Sequence, residues 1–201
     1  MPFPTPDETM SDQIKLERPG AGLPWLERQV SSAVLQTLRA SLSPATLNRW
    51  IAAETDKILA LAARLDADQG RRQVLTPRLT GLEDSSRHWS VYMVLQHLDI
   101  VDSGILQLSR TLARDQDFDR EVRIAEVKPD PGAGPEQAER FRAAARAYLD
   151  WSAQARPASG RRHAHPWFGP LDLRGWHALV AIHTLAHRRQ VEAIIARLPR
   201  G

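Results

Sequence analysis

The chain has 201 residues, 42% of them hydrophobic and 25% charged, enough to bury one core and suited to a single domain with an added arm. The net charge is only +3, and the arginines at 114, 120 and 123 are interleaved with Asp115, Asp117, Asp119 and Glu121, so no single-sign block argues for nucleic acid. There is no cysteine, which excludes disulfides, thiolate nucleophiles and Cys-ligated metal; no apolar run approaches the ~20 residues that span a bilayer, no secretory leader is evident, and the expected compartment is the cytoplasm.

Residues 1–22 are rich in proline and charge without periodicity and read as a disordered or draped tail. A first helix is expected over 23–42, where Trp25, Leu26, Val30, Val34, Leu38 and Leu42 recur mostly every four residues. This additional N-terminal helix either covers the bundle or forms a homodimer seam. Ser43 caps the next helix, Pro44 suits its first turn, and Leu47, Ile51, Ile58, Leu61 and Leu65 form its stripe to about 67. Glu54 fills the gap in that stripe. Its expected place is the margin, reaching solvent, and its alternative role is a catalytic base.

A long connection over 68–89, with Gly70, Pro77 and Gly81, is of the kind that is functional or wrapped around the core. Ser90 caps a third helix, with Trp89 and Val94 at staple positions and Val94, Leu98, Val101, Ile105, Leu108 and Leu112 facing inward; His97 lies on the inner flank of that stripe. A crossover over 115–134 carries a short piece expected to be extended, Val122-Arg-Ile-Ala. A fourth helix, about 135–156, presents Phe141, Ala145 and Tyr148. In the following loop Trp167 and Phe168 are expected to pin the chain to the bundle, and His163 and His165 to be solvated. Asp172 caps the last helix, about 173–198. The whole reads as all-α: an antiparallel four-helix bundle over 43–201 with the 23–42 helix added.

In the last helix His183 and His187 are four residues apart, on the face that also carries Trp176, Val180, Val191, Ile194 and Leu198. Core-facing imidazoles need a partner for each ring nitrogen, and a metal ion is an economical one. With His97 from a facing helix they make three corners of a tetrahedral or octahedral site with open positions, as catalytic sites have. All-imidazole ligation suits Zn, Ni, Fe or Co. Gln190 lies on the right face to support His187, and Arg161 and Arg162 are candidates to attract a substrate carboxylate. Any thiol chemistry must come from a low-molecular-weight cosubstrate.

The segments Trp89-Ser-Val-Tyr-Met-Val-Leu-Gln-His97-Leu, His165-Pro-Trp-Phe-Gly-Pro and His183-Thr-Leu-Ala-His187-Arg-Arg-Gln, in that order, resemble the DinB-like superfamily over roughly 44–198. That group includes bacillithiol transferases and mycothiol-dependent maleylpyruvate isomerases. The resemblance implies a four-helix bundle with a divalent metal held by His97, His183 and His187, and the group's characterised members move or use low-molecular-weight thiols. The expected function is a metal-dependent enzyme activating water or such a thiol toward a small electrophilic substrate. The 23–42 helix is extra to the family's minimal unit. The rival expectation, from another class, is a non-catalytic bundle stapled by its metal and acting in protein association or stress response.

Overall fold

The computed structural model describes residues 15–155 and 160–199. Residues 1–14 of the expected tail lie outside that range. The part within it is laid along the loop before the second bundle helix: the Glu17 N–H donates to Asp84, and the N–H groups of Gly20 and Gly22 donate to Glu83.

Six α-helices are present among the described residues: α1 (Trp25–Ser41), α2 (Pro44–Ala62), α3 (Ala67–Arg71), α4 (Val91–Ala113), α5 (Gln137–Gln154) and α6 (Leu173–Ile195). Each bundle helix starts where its side chains dictate. The Ser43 hydroxyl accepts the Thr46 N–H and Pro44 occupies the first turn of α2; Ser90 accepts the Met93 N–H of α4; Asp172 accepts the Gly175 N–H of α6. Helix α2 stops at Ala62, short of the expected 67, because Asp66 and Gln69 form a capping box that starts α3.

Helices α2, α4, α5 and α6 form the four-helix bundle, α4 against α5 and α6 and α2 against α6 and α5, with α1 laid against α6. Two apolar clusters fill it. One is centred on Leu47, Ile51, Leu108, Tyr148, Trp176 and Val180, the other on Ile58, Leu95, Leu98, Phe141, Val191 and Ile194. Helix α1 joins the first cluster through Leu35, which is fully buried, and is tied to the start of α6 by an Arg39–Asp172 ion pair. No helix of the described residues is long and apolar enough to cross a membrane.

The chain is not purely helical. The 68–89 connection holds β1 (Val74–Leu75) and β2 (His88–Trp89), paired antiparallel, with a 3-10 turn at Asp84–Ser86 between them. The segment before α6 is a hairpin of β3 (Arg162–His165) and β4 (Gly169–Asp172), with Arg162 opposite Asp172 and His165 opposite Gly169. The Val122-Arg-Ile-Ala piece, expected to be extended, instead leads into a 3-10 turn at Ile124–Val127. It pairs with no strand among the described residues, and a β-branched run without a partner edge has nothing to hold it extended.

Candidate metal centre

His97 on α4 and His183 and His187 on α6 each offer a ring nitrogen to one point, all three atoms lying within 4.8 Å of one another. The contacts are between Nε2 atoms: His97 to His183 at 3.2 Å and His187 to His183 at 3.1 Å. The far nitrogens of two rings are committed elsewhere. His97 Nδ1 lies 2.7 Å from the Val127 carbonyl, which only accepts, so His97 carries its proton on Nδ1 and its Nε2 is a bare lone pair.

His187 Nδ1 lies 2.7 Å from Gln190 Oε1, and the Gln190 amide orientation is fixed because its Nε2–H donates to the Ser86 carbonyl at 2.7 Å. His187 Nδ1 is therefore the donor, and its Nε2 too is a bare lone pair. A proton on His183 Nε2 can serve one of these neighbours and leaves the other facing nitrogen to nitrogen. Without that proton, three lone pairs converge. A cation at the centre satisfies all three at once, so the donor set fits a divalent ion.

Burial supports the same protonation pattern. Removal from water pushes His97 down to about 4 and holds His183 and His187 well below the ordinary imidazole value, leaving all three neutral near pH 7. The Trp89 ring stacks on His187, with planes 4° apart and centroids 6.2 Å apart, and tilts against His97 at 5.2 Å. Lys128 stands over the same indole at 5.1 Å and donates to Ser85 Oγ at 2.6 Å.

The centre opens into a cavity of about 550 Å³. Its lining is mostly apolar and draws on α1 (Val30, Val34, Leu38), on α4 and α6, and on the β3–β4 turn through Trp167 and Phe168. Those two aromatics thus line a pocket, where the sequence pointed only to anchoring. His165, expected to be solvated, is buried and lines the cavity as well, because the hairpin turns alternate residues of β3 inward. Its Nδ1 accepts the Trp167 N–H at 3.1 Å, so the neutral ring carries its proton on Nε2, and burial holds its pKa near 4.

The other candidates fall elsewhere. Glu54 does not reach solvent as expected at the stripe's margin: it is buried, paired with Arg188 and bound by Lys57 at 2.7 Å. Burial alone would push its carboxyl up, but those two cations hold it below the usual carboxylate range, and it does not line the cavity. It is an ion-pair partner, poorly placed for a base at the centre. Arg161 is engaged by Asp115 at 3.1 Å and Asp117 at 2.6 Å, and Arg162 is exposed on β3; neither lines the cavity. Gln190, by contrast, touches His187 directly. Sequence reasoning missed the two backbone acceptors, Val127 O and Ser86 O, which no side-chain pattern can signal. It also missed His165, whose alternation with His163 was the available sign.

Among solved structures, the chain is similar to TT2238, described as a four-helix bundle protein: 23% identity and a TM-score of 0.51, over 75% of this chain and 98% of that one. That likeness concerns the fold alone, and it covers the bundle architecture seen here. No family model and no curated protein matches the sequence.

Proposed function

We propose that this chain is a divalent-metal-dependent enzyme in which His97, His183 and His187 hold the ion and water or a low-molecular-weight thiol is directed at an electrophilic substrate. The observation that carries the reading is the pair of Nε2 lone pairs fixed by Val127 and Gln190 and aimed at His183, on the wall of a cavity of about 550 Å³. The DinB-like resemblance of the same three histidines supports it. A divalent ion bound there supplies Lewis acidity and lowers the pKa of a bound water or thiol. The protein's own residues do the rest: Val127 and Gln190 fix the ligand tautomers, Trp89 walls the centre, and His165 presents an Nε2–H donor to an oxygen of the substrate. A purely structural ion would have its coordination closed by protein, whereas this centre faces open volume.

The test is elemental analysis of protein purified without an affinity tag, beside His187→Ala. About one equivalent of Zn, Ni, Fe or Co is expected in the parent and none in the variant. Azide or a small thiol should then perturb the spectrum of the Co-substituted parent. Absence of metal in both, with no rise in Tm when divalent ions are added back, would overturn the reading.

A further inference from the structure

We propose that the site takes an amphiphile: an elongated apolar molecule whose single polar head meets the histidine centre while its body lies against α1. The head's contact rests on the metal reading above; the body's does not.

The cavity is of a size that encloses a whole small-molecule ligand, typically ~300–1,000 Å³, at about 550 Å³. Its wall is mostly apolar; of the charged side chains on it, those along the 120–126 segment pair with one another, and Arg189 is a further charge on the lining. Arg120 pairs with Glu126 at 2.7 Å and Arg123 with Glu121 at 2.9 Å, while Lys128 is held by Ser85 and the Trp89 ring. Helix α1 contributes Val30, Val34 and Leu38 to the lining, one stripe at four-residue spacing. Helix α1 is docked through Leu35, which is fully buried, yet Val30 and Val34 line the cavity while keeping 56% and 46% of their surface exposed. The helix therefore docks one apolar side on the bundle, while the side carrying Val30 and Val34 stays about half exposed among the described residues. Aromatic Trp50 and Phe168 complete that lining. A flexible apolar chain or fused ring running from the histidines to Val30 and Val34 covers this surface; a small polar electrophile leaves it wet.

The test uses the full-length protein stripped of metal by chelation and a series of 1-alkanols from butanol to dodecanol, with binding read by the fluorescence of the cavity tryptophans. The Kd is expected to fall about fourfold per added methylene until the cavity is filled. The double variant Val30→Asp with Val34→Asp should reduce that to less than about twofold. Both positions are exposed, so the fold should persist, checked by circular dichroism and Tm. Leu26→Asp, on the same helix, exposed and outside the cavity, should keep the steep series. A flat series in the parent, or one equally steep in the double variant, overturns the proposal. A steep series in a protein that takes up no metal retains the apolar pocket and removes the metal reading, so the two failures are separable.

Discussion

Gln190 spans two contacts at once, taking the His187 Nδ1–H on its oxygen and giving its own N–H to the Ser86 carbonyl. Replacing it by leucine fills the space but removes the acceptor that sets the His187 tautomer. Metal affinity, measured by chelator competition, should fall roughly 10–100-fold. Unchanged affinity would mean that the tautomer is fixed by something other than this amide. The convergence of the three histidines and Gln190 was legible from helical phase because their contacts run along helix faces. The ion pairs of Glu54 and of Arg161 were not, since phase says which way a side chain leans and nothing about which countercharge is already there, and Arg162 is exposed on β3.

A different residue bears on stability. Asp102 is buried in α4 with one oxygen lacking a partner, and burial, with the nearby Asp99 charge, pushes its carboxyl up to about 7. The unfolded chain deprotonates it near the ordinary value of 3.8, so the folded state holds the proton more tightly. Its contribution is fully present below about pH 4 and is lost as pH rises towards about 7. Asp102→Asn cannot ionise. The variant should be more stable than the parent at about pH 8, by up to about 4 kcal/mol, with the gap closing on acidification to about pH 4. Urea unfolding of both proteins at the two pH values checks this, and a gap independent of pH would refute it.

At the scale of elements, the connections carry packing of their own. Helix α3 is only five residues long, yet it seats Gly70 against Tyr92 of α4, so closely that a Cβ would stand 2.2 Å from the ring. Tyr92 is 5% exposed and has little room to move. Gly70→Ala should cost about 1–3 kcal/mol, the usual penalty of overpacking, read as a lower midpoint in thermal or denaturant unfolding. An unchanged midpoint would show that the ring can swing away.

The helices themselves were readable because caps and stripes are local: Ser43, Ser90 and Asp172 each cap the helix they announce. The small strand pairs and 3-10 turns were not, since strands of two to four residues depend on what the rest of the chain presses against them.

For the molecule as a whole, the four-helix architecture followed from the spacing of Leu47, Leu98, Phe141 and Val180 on four amphipathic segments, and all four are buried. The placement of α1 did not follow. A stripe at four-residue spacing marks a face to be covered without naming what covers it, and α1 uses Leu35 for the bundle and the Val30–Val34 side for the cavity. Size and shape of a pocket are properties of the assembled bundle, so the roughly 550 Å³ beside the histidines had no counterpart in any one segment.

The acceptors that orient the centre, Val127 O and Ser86 O, belong to the main chain of two 3-10 turns. A carbonyl is the same whatever residue bears it. The side chains at 86 and 127 can therefore vary without moving these oxygens, within the space left by the burial of Ser86 and the cavity both residues line, while a one-residue insertion or deletion in either turn would misplace the oxygen and scramble the proton positions on the histidines. Such a centre tolerates substitution in its loops and punishes changes in their length, so kinship to it is better sought in the spacing between elements than in the letters of the turns.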